Sequence, residues 1–306
     1  MRQLQLPEGR VHSLRFSPDG RSLFAITQGP YDSEFLQPQK LYLYQHAYRI
    51  DVLSGELLNT WEFRGSEVAI FTPDLRSVCY SVSVAVSGGE LDLRSMNLMT
   101  RTEEPVYEAE VPYPYCLDFT PNGHILAIGG LHYFGDGRDR VHRVDVWNKT
   151  ELAVLDVEAR CLAYSPNGQW LATGHLVAGV HLWEGKQPVK HWAEPAWVLA
   201  WSPDGRLAWV NETQCAMLTP PSQGPVRTWQ TPMRAPTALA FSPDGNLLLV
   251  GSFQGACALH SASEYRERTA YNWGIGSIYS VAFSPDGLTC AAGGENGQVV
   301  VWDVDG

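Results

Sequence analysis

The segment His132-Tyr133-Phe134-Gly135-Asp136-Gly137-Arg138-Asp139-Arg140-Val141-His142 gathers two histidines and two aspartates, the side chains most often recruited to hold a metal. Their spacing fits no compact ligand motif: neither HExxH nor the twelve-residue calcium loop can be laid on it. A solvated hairpin loop, with His142 opening the next strand, is the plainer reading, and no metal or other cofactor is expected. Six cysteines, at 79, 116, 161, 215, 257 and 290, stand singly with no CxxC pair. In apolar strands a free cysteine behaves as a small hydrophobe, so a reduced, cytoplasmic protein without disulfides is expected. Cys116 and Cys161 share a register in adjacent repeats, but the strands that carry them should diverge beyond bridging distance. No GxSxG elbow, P-loop or GxGxxG-plus-acid pattern is present. Asn148-Lys149-Thr150 and Asn211-Glu212-Thr213 are glycosylation sequons that a chain without a signal peptide would not expose to the modifying machinery.

The elements that would position any such chemistry are repeated. An aromatic residue followed by Ser/Thr-Pro-Asp/Asn-Gly recurs at 16–20, 119–123, 164–168, 201–205, 241–245 and 283–287, and Phe71-Thr72-Pro73-Asp74-Leu75 is a copy without the glycine. Proline fixes φ in the turn, Asp or Asn bonds back to the backbone, and glycine accepts positive φ. The seven prolines, from Pro18 to Pro285, lie 37 to 55 residues apart, inside the period of four-stranded propeller blades. Before each turn an apolar residue and the aromatic share one face of a strand, as in Leu14 and Phe16 or Val281 and Phe283. The last repeat, Val281–Val304, reads as three short strands separated by Pro285-Asp286-Gly287 and Glu295-Asn296-Gly297.

These repeats resemble the WD-repeat (tryptophan-aspartate) β-propeller family over nearly the whole chain. Trp302-Asp303 carries the signature dipeptide; Trp183-Glu184 and Trp147-Asn148 take its place in blades 4 and 3. Ile50-Asp51, Leu218-Thr219 and Leu259-His260 stand for it in worn blades. The family's Gly-His before the first strand is missing throughout, so apolar packing must replace the buried hydrogen-bond network. The fold expected is all-β: one seven-bladed β-propeller, 1–306, of four-stranded antiparallel blades. Because the last repeat supplies only three strands and open edges are costly, Gln3–Leu6 should be the outermost strand of blade 7, beside Gly297–Val304.

A net charge of −11 argues against generic nucleic-acid binding, which needs a basic footprint. No run of about 18 apolar residues is present to span a membrane as a helix. A monomeric, non-enzymatic scaffold for a protein or peptide partner is the favoured function. The alternative is a propeller hydrolase or lyase, marked by clustered histidines and carboxylates with shifted pKa values.

In propellers of the resembled family the first strand of each blade starts at the top face. The resemblance therefore implies a ring of strand-opening residues there: His12, Glu67, Tyr115, Arg160, Trp197, Thr237 and Tyr279. Tyr113, Tyr271 and Trp273 would add aromatic surface from the connecting loops, and the insertions Gln28–Lys40 and Leu131–Arg140 would project from the same face. Trp, Tyr and Arg are the types that dominate binding hot spots. Trp197 and Tyr279 are the expected anchors and Arg160 the expected partner of an acidic group.

Overall fold

The computed structural model describes residues 1–7, 9–29, 43–65, 68–83, 91–107, 113–131, 138–220, 226–231 and 233–305. No described residue is helical. The strands form seven four-stranded antiparallel sheets, and the fold is a seven-bladed β-propeller. In blades 1 to 6, spanning 10–65, 69–107, 113–155, 161–192, 198–230 and 236–272, the strands are ordered as they follow in the chain. Blade 7 takes three strands from 280–303 and its fourth from Arg2–Gln5, which pairs with Gln298–Asp303 from Arg2 opposite Val301 to Gln5 opposite Gln298. The closing strand expected at Gln3–Leu6 is therefore present, one residue earlier.

The chain divides into two compact units. One holds Met1–Gly29, His46–Thr60 and Ala196–Gly306; the other holds Pro30–Gln45 and Trp61–Pro195. In the first unit, buried cores lie between successive blades: Leu249, Ile275, Ile278, Val300 and Trp302 in one, Leu6, Val11, Leu23, Tyr48 and Val299 in another. In the second, Leu93, Leu126, Ile128 and Val144 form one such core, and Val141, Leu162, Leu171 and Trp183 the next.

The repeated turns hold themselves by one small network. In blade 7 the Ser284 hydroxyl donates to Asp286 Oδ1 at 2.6 Å and accepts the Thr289 N–H at 2.9 Å, while the Gly287 N–H closes on the Ser284 carbonyl. Ser17 with Asp19 and Ser242 with Asp244 repeat it, as do Thr120 with Asn122 and Ser165 with Asn167. The copy lacking glycine makes the same bonds, Thr72 Oγ1 to Asp74 at 2.7 Å and Leu75 N–H to the Thr72 carbonyl at 2.9 Å. Leu75 pays for it with φ of 57°.

Register fixes which residues stand at the signature dipeptide. Cys290 faces Trp302, Leu171 faces Trp183, Leu248 faces His260 and Leu126 faces Val144. Two residues on, Val304, Ala262 and Val146 make the same backbone bond to the preceding turn. In blade 6 the pair is thus His260-Ser261, not Leu259-His260. In blade 3 it is Val144-Asp145, not Trp147-Asn148: Trp147 lies beyond the strand and is 73% exposed. Ile50-Asp51 and Leu218-Thr219 keep their places, the latter with Leu218 opposite Leu207.

Buried tryptophans show what replaced the family's polar network. Trp183 Nε1 donates to Thr173 Oγ1 at 3.1 Å. Ala292 occupies Thr173's place in blade 7, and the buried Trp302 Nε1 has no partner among the described residues. An unsatisfied donor costs about 1–3 kcal/mol, whereas burying roughly 200 Å² of indole contributes about 5 kcal/mol. Packing wins.

A non-glycine residue in the left-handed region costs about 1–2 kcal/mol, partly offset here by the half-buried Leu75 side chain. Leu75→Gly should raise stability by about 0.5–1 kcal/mol, read as a higher urea midpoint; an unchanged or lower midpoint would refute the strain. The hydroxyls of Ser17, Ser242 and Ser284 hold Asp19, Asp244 and Asp286 below the usual carboxylate range. A depressed folded pKa contributes stability above the unfolded value of about 4, lost as pH falls through the folded value. Asp286→Asn, which copies the turns of Asn122 and Asn167, should leave the urea midpoint at neutral pH nearly unchanged. The fall in midpoint between about pH 7 and pH 3 should shrink.

Candidate functional site

In six of the blades the first strand opens with two residues facing one on its partner, and the strand-opening residue is the extra one. In blade 1, Val11 pairs with Thr27 and Ser13 with Ile26, leaving His12 as the extra residue. Tyr115 and Thr237 are the extra residues of blades 3 and 6 in the same way. Arg160, Trp197 and Tyr279 donate their N–H groups at 2.8–2.9 Å to Gly174, Val210 and Gly293, the residues that the next position of each strand also faces. Bulges turn side chains out of the sheet's alternation, so these six positions are one structural site repeated. Glu67, residues 30–40 of the first insertion and 132–137 of the second lie outside the described residues; of Tyr113 only the strand position, opposite Leu131, is described.

In the first unit the bulge at Tyr279 carries the most developed surroundings. The phenol donates to Glu295 Oε1 at 3.2 Å, and Ser277 Oγ donates to the same oxygen at 3.0 Å. The Arg10 guanidinium lies 5.5 Å from the Tyr279 ring centroid, and the 56% exposed Phe253 meets that ring edge-on at 6.4 Å. Trp197 and His12 are half-buried at their own strand starts. Thr237 is absorbed by structure: its hydroxyl donates to the carbonyls of Gly251 and Ile278, tying blade 6 to blade 7.

Tyr271 and Trp273 have a different role from their expected one. Their rings stack on each other at 5.3 Å, and Trp273 packs on Trp302 at 4.5 Å. They are half-buried and fill the seam between blades 6 and 7. In the second unit, the Arg160 guanidinium lies 3.7 Å above the Tyr115 ring, so one bulge residue covers the next.

The other reactive side chains are placed structurally. His142 is buried and bonds Glu151 Oε2 through Nδ1 at 2.7 Å; Tyr107 donates to the same oxygen at 3.4 Å. His132 and Asp136 are outside the described residues, among which no three metal-ligating side chains converge. Burial pushes the His260 pKa down to about 4, and Trp229 Nε1 donates to its Nδ1 at 3.2 Å. All six cysteines are free thiols. Burial raises the pKa of Cys161, Cys215 and Cys257 to about 12, and drives that of Cys116 well above its ordinary value, with Cys161 adding to the rise. None is poised as a nucleophile.

The family described as WD domain, G-beta repeat matches residues 152–179, 224–261 and 272–303. The last two matches end on Ser261 and Asp303, the second residues of the dipeptides that the register assigns. The chain thus carries WD repeats in these three places. It is also 35% identical over 65 residues to WD repeat-containing protein 91 of Danio rerio, a stretch covering 21% of this chain and 9% of that protein. The match thus spans under a tenth of the relative's length. The WD repeats found by the family match lie in blades 3 to 7.

Raised thiol pKa values and burial predict that the native protein reacts slowly with an aromatic disulfide reagent at about pH 8. After denaturation without reductant all six thiols should titrate. Fast native reaction of Cys79, Cys215, Cys257 or Cys290, the four buried thiols, would show that the burial is not maintained in solution.

Proposed function

We propose that this WD-repeat protein is a non-enzymatic scaffold that holds a protein or peptide segment on the side chains of its first-strand bulges. The bulge supports this reading most directly. One backbone position recurs in six described blades, yet its occupants are His, Tyr, Arg, Trp, Thr and Tyr. Where the fold constrains a position, as at the turn serines, the residue type barely varies. Here backbone geometry is satisfied by any side chain, and the types found are mostly those that anchor interfaces. WD-repeat propellers generally bind protein partners, which agrees. Trp197 and Tyr279 are the proposed anchors and Arg160 the group for an acidic residue; a cytoplasmic monomer fits the free cysteines.

The hydrolase or lyase alternative would place histidines and carboxylates with shifted pKa values at these strand starts. The shifted groups described above are core thiols, a core histidine and turn aspartates, which favours the scaffold.

Affinity capture with the wild-type chain, followed by mass spectrometry, supplies the partner. Trp197→Ala and Tyr279→Ala should then each weaken binding by about 2 kcal/mol or more by calorimetry. Asn167→Ala, in a turn at the far end of a first strand, should change it little. Thermal melts show whether each variant is folded. Loss of binding in Asn167→Ala with full binding in both aromatic variants would place the partner elsewhere.

A further inference from the structure

The turns between third and fourth strands carry a feature that the WD signature does not require. In blades 1, 2 and 3 the dipeptide's second residue, Asp51, Asn97 or Asp145, accepts backbone N–H groups two or three positions on. Two positions beyond it stand Leu53, Met99 and Trp147, each more than 70% exposed. Trp147 is the largest. Asp145 Oδ1 accepts its N–H at 3.0 Å and that of Asn148 at 2.9 Å, while Oδ2 accepts Asn148 Nδ2 at 2.9 Å. The His124 ring lies 4.9 Å from the indole. The tryptophan is thus held in place while facing solvent.

Within the second unit Trp147 lines a groove of about 640 Å³ between blades 2 and 3, with Pro73, Pro105 and Pro121 among its apolar walls. That is the size of a small-ligand or single-side-chain subsite. The carboxylates of Asp74 and Glu104 also line it, and Lys149 is its one cation among the described residues. Asp74 is partly engaged, by the Thr72 hydroxyl and the Arg76 N–H on Oδ1 and by the Arg76 guanidinium 3.9 Å from Oδ2. Glu104 is exposed.

We infer that this groove docks an extended, arginine-containing basic segment of a protein partner, with a guanidinium over the Trp147 indole and its charge against Glu104 and Asp74. An exposed indole face attracts a cation, arginine most often, and bidentate pairing to a carboxylate adds geometry that a lysine would not supply. An acidic segment would meet two carboxylates and a chain of net charge −11. Lys149 opposes the proposed occupant, which gives the test a sign. The groove is separate from the bulge positions and does not rest on their role.

Fluorescence anisotropy of a labelled short peptide alternating arginine and glycine, against one alternating glutamate and glycine, tests the inference. The arginine peptide should bind the full chain and the glutamate peptide should not. Trp147→Ala, which leaves net charge unchanged, should weaken binding by about tenfold or more; Glu104→Gln should weaken it less, and Lys149→Glu should strengthen it. Trp147→Phe, retaining an aromatic face, should recover part of the loss. Tyr279→Ala should leave it unaltered, so failure of the bulge site and failure of this groove are told apart. No binding of either peptide, equal binding by wild type and Trp147→Ala, or weaker binding by Lys149→Glu would overturn the inference; equal binding would mean only diffuse attraction to an acidic chain.

Discussion

An unpaired strand edge exposes a row of backbone donors and acceptors, and blade 7 depends on the first residues of the chain to cover its own. The ladder between Arg2–Gln5 and Gln298–Asp303 is continued by the Leu6 N–H on the Gly297 carbonyl and the Gly297 N–H on the Gly9 carbonyl. The chain then enters blade 1, where the Val11 N–H bonds Gly294 and the Ser280 hydroxyl bonds the Val11 carbonyl. Two glycines make the approach possible. A Cβ on Gly293 would stand 2.5 Å from the Val11 side chain, and Gly297, at φ of 75°, has the Leu6 carbonyl where its Cβ would be. The first and last strands are therefore one joint, held chiefly by backbone and closed only because side chains are absent there.

Elsewhere in the same unit, blades are tied with fewer polar groups. The Thr237 hydroxyl and the Ile278 N–H on Ser252 join blade 6 to blade 7, and Arg206 Nη2 joins blade 5 to blade 6 through the Gly245 carbonyl at 2.7 Å. Aromatic residues in or just after the fourth strands of blades 5 and 6 do the rest. Trp229 reaches His260, and Tyr271 with Trp273 reach Trp302, so the dipeptide position of one blade receives rings from the blade before it. In the second unit Trp61 similarly donates to the Leu98 carbonyl at 2.6 Å, beside the dipeptide position of blade 2. This explains how worn signatures are tolerated. A buried, ring-packed position needs bulk more than it needs the tryptophan-aspartate pair.

The turns and the closure were legible because their chemistry is local. Proline, a hydroxyl two residues before the Asp or Asn, and glycine specify the turn almost alone, and an odd strand count predicts a borrowed strand. The dipeptides were less so. In blade 3 residue type misled: Trp147 looks like the signature, but the register gives the position to Val144. A better signal was present in blades 4, 6 and 7, where Trp183, His260 and Trp302 each lie seventeen residues after the turn proline. The bulges were not legible at all. Strand alternation is a property of side chains, whereas two residues facing one is a property of the backbone, so His12 and Tyr115 could be named from the family's geometry but not from their own pattern. The packing of Tyr271 and Trp273 on Trp302 was not legible for a related reason: aromatic content does not say whether a ring faces solvent or a seam.

Perturbed ionisation is often a pointer to active sites, and in this protein its causes can be traced group by group. The aspartates are lowered by hydroxyls and N–H groups that also shape their turns, at sequence positions fixed by the repeat. The thiols are raised by burial in strands, and His260 is lowered by burial while accepting a bond from Trp229. Each shift thus accompanies a structural contact. The bulge residues and Trp147 show the opposite combination, with side chains at least partly exposed on backbone already satisfied by its own bonds. A fold that settles its backbone with repeated turns and joints leaves such positions free to vary. That freedom to vary is the chemical resource these positions present.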